Sequence, residues 1–285
     1  MYNNTYSYDT FTLYNYGNKF KLVYNKVKRN SWVELQRSDL VAPVIYQDDD
    51  IILKLCDTEP AFNITGEYRF YESLIRSKNS IFGYAMCNDW DYFATFTLNP
   101  QLHDRFDINS FYKKFTKFIN NYNRKLDDNI KYLLVPERHK NGAWHMHGFL
   151  KNIPIEDLKK FQLSEKIPLY LKNKIKSGSD IFSWVSYSRK FGFNDLEFIN
   201  DKTKASIYIT KYITKDMLNV KNYPNKHLYY CSKGLNKPKK CDVCPITDTP
   251  ISYGYSDDFC SIKWYDSIEE VKNDFVIDNI EFFNV

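Results

Sequence analysis

The chain has 285 residues, a net charge of +5 and 43% hydrophobic residues, which is enough for one large or two modest domains. Six cysteines over this length are too few for a disulfide framework. No run of about 18 apolar residues is present for a membrane span, and the first 30 residues lack the apolar stretch of a secretory signal. We therefore expect a soluble, cytoplasmic protein whose mild positive charge permits a polyanionic partner without requiring one.

The first predicted elements are short strands followed by helices. Residues 1–65 alternate polar and aromatic positions, and we interpret them as an accessory N-terminal segment. A helix is predicted from Gly66, followed by an aromatic and β-branched strand over 92–98. Asp107 is the predicted N-cap of the clearest amphipathic helix, whose apolar face carries Phe111, Phe115, Phe118, Ile119, Tyr122 and Leu126.

The remaining pattern predicts a hairpin and three further elements. Strands over 132–138 and 144–150 are joined at Asn141-Gly142, a pair that tolerates the positive φ of tight turns. A helix over 157–163, a strand over 181–187 and a helix over 203–218 follow. This order predicts an α+β fold, with helices packed on one side of an antiparallel sheet as in ferredoxin-like domains. The core domain is predicted over 66–235, with a polar C-terminal tail over 236–285.

His145-Met146-His147 is the first candidate site, because side chains two apart on a strand share a face. If the hairpin turns about Asn141, Glu137 lies directly across from His145. Two imidazoles and one carboxylate would leave coordination positions open, as expected of a catalytic divalent ion. The alternative is an ordinary half-exposed strand surface, and Pro136, which cannot donate a ladder hydrogen bond, argues for an edge or bulge here.

Two overlapping copies of Tyr-x-x-Lys form the second candidate site, on the predicted helix over 203–218. Tyr208, Lys211, Tyr212 and Lys215 fall on one stripe about 100° wide. A phenol has an ordinary pKa near 10, so as a nucleophile it needs positive charge from a lysine or a metal. The alternative is the solvated face of an amphipathic helix.

At these residues the chain resembles the HUH endonucleases of rolling-circle replication, in particular the replication initiators of small single-stranded DNA phages. His145-Met146-His147 is similar to the family's His-hydrophobic-His motif, with Glu137 at the place of an acidic third ligand. The first and third motifs are matched by 93–98 (FATFTL) and by the paired tyrosines with their lysines. Residues 228–235 (LYYCSKGL) also resemble a phage-initiator segment, so the resemblance covers about 66–235.

This resemblance implies a metal-dependent DNA endonuclease and strand transferase. An Mg²⁺ or Mn²⁺ ion held by Glu137, His145 and His147 would polarise the scissile phosphate. Either Tyr208 or Tyr212 would attack it, keep the 5′ phosphate and release a 3′ hydroxyl that primes synthesis. The expected substrate is single-stranded DNA at a replication origin, held in part by Thr95 and Thr97. No G-x-x-x-x-G-K-[ST] loop is present, so a host helicase is the expected partner, together with a polymerase, in the bacterial cytoplasm.

Three alternatives stay open from the sequence. A transposase or conjugative relaxase shares the same chemistry but acts on a different DNA substrate. A non-catalytic nucleic-acid-binding module would use the sheet and basic helices alone, with incidental histidines. Separately, the C-x-x-C at 241–244, with Cys231 and Cys260, has the composition of a four-thiolate zinc site but irregular spacing.

Overall fold

The computed structural model describes residues 10–26, 66–139, 141–217, 227–246, 251–256, 260–277 and 282. In chain order the strands and helices are β1 (Thr10–Asn15), β2 (Phe20–Asn25), α1 (Gly66–Cys87), β3 (Tyr92–Thr97), α2 (Ile108–Asn123), β4 (Lys131–Arg138), β5 (Trp144–Lys151), β6 (Leu158–Lys160), α3 (Leu169–Lys176), β7 (Ile181–Trp184), α4 (Val185–Lys190), β8 (Asn194–Phe198), α5 (Lys202–Met217), β9 (Tyr230–Cys231), β10 (Lys239–Pro245), β11 (Tyr255–Ser256), β12 (Cys260–Tyr265), α6 (Ile268–Asp274) and β13 (Phe275–Val276). None of the described helices is long and apolar enough to cross a membrane.

The chain divides into two compact units. The first is made of Met1–Ile75 and Asn236–Val285, and the second of Arg76–Leu235. The first contains a six-stranded sheet in the order β11-β12-β2-β1-β10-β13. Strands from the predicted accessory segment and from the predicted tail therefore pair with each other. A buried core lies against this sheet and consists of Leu13, Phe20, Leu22, Val243, Tyr265, Val271, Phe275 and Phe282.

The second unit contains a seven-stranded sheet in the order β6-β7-β8-β3-β5-β4-β9, with every neighbouring pair antiparallel. Its central strands are buried on both faces, as at Leu133, Leu134 and Val135, which are all 0% exposed. The α+β class with an antiparallel sheet is confirmed, and the arrangement is compatible with a ferredoxin-like core. This sheet holds all the predicted site residues that lie on strands.

Helices cover both faces of this sheet, so the prediction that they pack on one side is wrong. On one face, Phe115 of α2 and Tyr187 of α4 contact Phe96 of β3. On the other, Tyr212 of α5 contacts His147 of β5. The physical reason is that strands with apolar residues on both faces need cover on both.

α2 forms as its sequence predicts. The Asp107 side chain accepts hydrogen bonds from the backbone N–H groups of Asn109 and Ser110, which satisfies two of the unpaired amides at the helix start. Its buried residues are Ile108, Phe111, Phe115, Phe118 and Ile119. Burial of this aromatic stripe fixes α2 on the sheet.

Two predicted elements differ from the structure. Residues 155–157 form a 3₁₀ turn and Leu158–Lys160 form β6, where a helix over 157–163 is predicted. Asp157 is the cause, because its carboxylate accepts hydrogen bonds from Tyr122, Trp184 and the backbone of Ser186. The predicted strand over 181–187 ends at Trp184, where α4 begins. In both places long-range contacts override the local pattern.

Candidate active site

β5 carries the two histidines at the centre of the sheet, between β3 and β4. Glu137 lies directly across from His145, as the hairpin register predicts, and Thr97 lies across from it on the other side. Thr95 is the β3 partner of His147. Register is unbroken from 131 to 138, so Pro136 causes no bulge. These side chains therefore share one face of the sheet, which we call the site face.

The turn between the two strands also follows the predicted chemistry. Gly142 has a φ of 84°, a conformation that glycine adopts without strain. The loop closes through hydrogen bonds from the His139 amide to the Ala143 carbonyl and from the Gly142 amide to the His139 carbonyl. Lys140 lies outside the described residues. This closed loop fixes the register of the hairpin.

Glu137 and His147 meet on the site face. His147 Nε2 lies 2.8 Å from a Glu137 carboxylate oxygen, and His147 is only 7% exposed. The two atoms are close without being aligned for a hydrogen bond, so both His147 nitrogens are buried without a hydrogen-bond partner among the residues that the structure describes. Unpartnered buried nitrogens are costly in an ordinary core. A divalent metal fits this pair, because neutral imidazole and carboxylate are donors that such ions accept.

His145 is held one register position further along the site face. Its Nδ1 lies 3.1 Å from the Thr97 hydroxyl, which leaves Nε2 as the nitrogen available to a ligand. His139 stacks on its ring at 3.7 Å between centroids. Burial, followed by the neighbouring imidazoles of His139 and His147, lowers the pKa of His145 to about 4. The neutral form, which binds metal, is therefore the stable one.

The three predicted ligands share a face, but only two of them touch. Within the described ranges, no three His, Cys, Asp or Glu side chains converge closely enough to hold one ion. The ring of His145 lies 6.4 Å from that of His147. Coordination by all three would require a change of rotamer at His145 or Glu137.

α5 places the tyrosines against this site. The Tyr212 ring lies parallel to that of His147, with an interplanar angle of 5° and 4.1 Å between centroids. The Tyr212 hydroxyl donates a 2.9 Å hydrogen bond to the Tyr208 hydroxyl. Tyr208 is 47% exposed and packs edge-on against Phe93. One phenol thus lies on a candidate ligand, and the other lies beside it, open to solvent.

The lysines of the stripe differ in what the structure describes. Lys211 Nζ lies 5.5 Å from the centre of the Tyr208 ring. Lys215 belongs to the last turns of α5, but its side chain lies outside the described part of the chain. Lys211 is therefore placed next to a phenol.

The surroundings of Tyr212 favour the neutral phenol. Burial raises its pKa well above the ordinary value, and the bond to Tyr208 and the charges of Glu137 and Asp195 raise the pKa further. A neutral phenol is a poor nucleophile, so attack by Tyr212 would need added positive charge at the site.

Three neighbours of the site are absent from the sequence-based prediction. Asp195, on β8, is 6% exposed, lies across from Thr95 and accepts a 2.8 Å hydrogen bond from Tyr170 of α3. Burial raises the pKa of Asp195. Tyr170 and His139 are the other two neighbours. The alternation of Asn194 to Phe198 could have revealed β8, but nothing local indicates that this strand lies beside β3.

The C-x-x-C motif is divided between two sides of β10. Residues three apart on a strand point to opposite faces. Cys241 packs against the core of the first unit, whereas Cys244 is exposed. The motif as folded therefore does not bring its two thiols together.

The comparison with known proteins covers the part of the chain that carries this site. Residues 91–217, a little under half of the chain, match a family model described as Replication-associated protein ORF2. The matched range runs from just before β3 to the end of α5 and includes every predicted site residue. No curated protein and no solved structure matches the chain. Over 91–217 the chain is therefore similar to replication-associated proteins.

Proposed function

We propose that the chain is a rolling-circle replication initiator that nicks and rejoins single-stranded DNA through a 5′-phosphotyrosine intermediate. The observation that carries this proposal is the stacking of Tyr212 on His147, the imidazole that contacts Glu137. This contact brings the two candidate motifs together, which supports a shared site. Similarity to replication-associated proteins over the same residues supports the choice of replication.

Tyr212 is the proposed first nucleophile, because it is the phenol in contact with the ligand face. Its oxygen bonds to phosphorus as the bond from phosphorus to the 3′ oxygen breaks. The phenol loses its proton, the departing 3′ oxygen gains one, and the 5′ phosphate stays on the enzyme. Glu137, His145 and His147 would hold the divalent ion. A bound Mg²⁺ or Mn²⁺ supplies positive charge that polarises the phosphate and favours phenolate.

Tyr208 is suited to the second transfer. Its hydroxyl lies 2.9 Å from that of Tyr212, so both phenols can reach the same phosphate region in turn. Attack by Tyr208 on a second phosphate would release another 3′ hydroxyl, and this hydroxyl would displace Tyr212 and reseal the strand. Lys211, beside Tyr208, and Lys215 would offset the charge of the two phosphates.

The DNA strand is proposed to cross the site face. Thr95 lies beside His147 on β3, and the exposed Tyr208 offers an aromatic surface for base stacking. Thr97 is hydrogen bonded to His145, so its proposed role is to orient this metal ligand as well as to line the path of the DNA strand. The proposed partners are a host helicase and polymerase, in the cytoplasm of a bacterial host.

The test is covalent capture of DNA. A randomised pool of single-stranded oligonucleotides is incubated with the protein and Mn²⁺ or Mg²⁺, then resolved on a denaturing gel. A 3′ label should appear in a protein adduct, whereas a 5′ label should appear in a shortened free strand. Sequencing the captured strands would identify the preferred site.

Variants assign the roles. Tyr212→Phe should abolish the first cleavage, and Tyr208→Phe should leave cleavage but impair rejoining. His147→Ala should abolish both, whereas Tyr253→Phe, a phenol in the other unit, serves as the matched control. An adduct that survives replacement of both Tyr208 and Tyr212, or no adduct with either metal, contradicts the proposal. Intact DNA binding without cleavage would favour the binding-module alternative.

A further inference from the structure

α2 carries a strip of exposed cations and amides that the proposed reaction does not use. The strip consists of Lys113, Lys117, Asn120, Asn121 and Arg124, all exposed. Their spacing places them on one side of the helix, and together they line one shallow groove. We call these five residues the α2 strip.

Charge along this helix is entirely of one sign. α2 contains three lysines and no aspartate or glutamate, and Arg124 and Lys125 follow directly at its C-terminal end. Most solvated helices mix the two signs, because opposite charges three or four residues apart stabilise a helix. The uniform charge of α2 therefore makes the helix less stable than a mixture of charges would. A surface of one charge sign is expected where an anion has to be attracted.

The cations of the α2 strip also lack protein partners within the described ranges. No ion pair there involves a lysine or arginine of α2, and no α2 strip cation is hydrogen bonded. Other lysines of the same unit are paired, namely Lys159 with Glu165, Lys160 with Asp180, and Lys174 with Glu197. Lys166 and Lys176, also exposed, likewise make no ion pair within the described ranges, so what distinguishes the α2 strip is that its cations line one side of a single helix and one groove.

The position of α2 separates this surface from the proposed reaction. Phe115 of α2 contacts Phe96 and Tyr132, whose side chains lie on the sheet face away from His147. The tyrosine helix lies on the site face. α2 and α5 therefore lie on opposite faces of the same sheet.

The groups in the groove fit phosphates better than unpaired bases. Single-strand sites combine cations with free aromatic faces on which bases stack. The aromatic ring of this groove, Tyr112, is already stacked on Tyr230 at 3.8 Å, and its hydroxyl lies 3.1 Å from that of Tyr132. Lysine, arginine and amide side chains are the groups that contact phosphate oxygens in duplex DNA without reading sequence.

We propose that the α2 strip binds the phosphate backbone of double-stranded DNA. From Lys113 to Arg124 the helix rises about 16 Å, close to five base-pair steps at about 3.4 Å each. Two or three phosphate contacts are within reach over that length. This surface goes beyond the proposed nicking site and, if that function holds, binds duplex while the site face handles the single strand.

The experiment measures duplex binding by the full chain without cleavage. A labelled, blunt-ended 25-base-pair duplex of arbitrary sequence is titrated in EDTA at several KCl concentrations, with anisotropy as the readout. The strip variant is Lys113→Gln, Lys117→Gln and Arg124→Gln. The matched control removes the same charge from paired lysines of the same unit, by Lys159→Gln, Lys160→Gln and Lys174→Gln.

The salt dependence gives the sharpest expectation. Each lost phosphate contact lowers the slope of log affinity against log salt by about 0.9, so the strip variant should lose about 2 to 3 units of slope. The control should lose less than about 1 unit of slope. A second variant, Asn120→Lys with Asn121→Lys, adds charge to exposed positions and should raise affinity and slope.

Several outcomes overturn the proposal. Equal losses of slope in the strip variant and the control would mean that only net charge matters. Tighter binding of the wild type to single strands than to duplex, reduced by the strip variant, would assign the surface to single-stranded DNA. Preferential binding to phosphatidylserine vesicles would assign it to a membrane. Because the titration contains EDTA, its result is independent of covalent capture, and either proposal can fail alone.

Discussion

Replacing Thr97 with valine would isolate one hydrogen bond beside the proposed metal ligands. Thr97 Oγ1 lies 3.1 Å from His145 Nδ1, and valine removes the hydroxyl with little change of shape. In the tautomer that leaves Nε2 free for a metal, Nδ1–H donates to this hydroxyl. A neutral hydrogen bond contributes about 0.5–1.5 kcal/mol. Partners of this kind change metal affinity by about 10- to 100-fold.

We therefore expect Thr97→Val to weaken Mn²⁺ binding about 10-fold, or ~1.4 kcal/mol. Thr95→Val is the matched control, because Thr95 has the same residue type, strand and face. Within the described part of the chain its hydroxyl makes no hydrogen bond. Calorimetric titration of Mn²⁺ into both variants at constant pH measures the difference. Equal losses in the two variants, or none in Thr97→Val, would refute the orientation of His145 by this bond.

Three predictions concern stability. A Cβ on Gly148 would overlap the Leu133 carbonyl oxygen, so Gly148→Ala should cost about 2 kcal/mol or more by separating β4 from β5, and an unchanged urea midpoint would contradict this. Asp157 accepts three hydrogen bonds, so Asp157→Ala should cost about 3 kcal/mol, whereas Glu156→Ala, at an exposed neighbour, should cost almost nothing in the same assay. Burial and the hydrogen bond to Asp157 raise the pKa of Tyr122 to about 12, whereas the phenol of the unfolded chain ionises near 10. The neutral Tyr122 phenol therefore stabilises the folded state below pH 10, and this contribution to the free energy of unfolding is lost between pH 10 and 12. A native circular dichroism spectrum together with full phenolate absorbance at pH 11 would contradict the prediction for Tyr122.

Local signals predicted the parts of the fold on which the site depends. Asp107 and the aromatic stripe of α2 specify a helix through capping and burial, both of which involve residues a few positions apart. The register of the hairpin follows from its turn, so the pairing of Glu137 with His145 was also predictable. These features share one property, which is that each is decided within about 20 residues of chain.

Pairings between distant segments were not predictable in this way. β1 pairs with β10, so that Leu13 lies opposite Cys241, and no local pattern in either strand identifies its partner. β6 forms because it pairs with β7 at the edge of the sheet, where Leu158 lies opposite Trp184. A single sequence carries the propensity of each strand but not the choice among partners.

The candidate site divides along the same line. That the tyrosines and lysines form one stripe of a helix follows from helical spacing, but the contact of Tyr212 with His147 depends on how α5 packs on the sheet. Asp195 lies across from Thr95 only because β8 inserts beside β3. Asp195 is therefore missed because sheet order places it, whereas His139, in the hairpin loop beside His145, was within reach of local reasoning.

The stacking of Tyr212 on His147 is compatible with metal binding by the same imidazole. The lone pairs of a histidine lie in the plane of its ring, whereas the Tyr212 ring, at an angle of 5°, covers the ring face. The strand ladder holds His147 in place, whereas the Tyr212 side chain is held by this stacking, by an edge-on contact with the Tyr208 ring and by one hydrogen bond to the Tyr208 hydroxyl. Such contacts contribute about 1 kcal/mol each, so we expect the phenol to move more readily than the proposed metal ligands. The proposed nucleophile has to attack, remain attached and then be displaced, and such a reaction requires a fixed set of metal ligands together with a movable phenol.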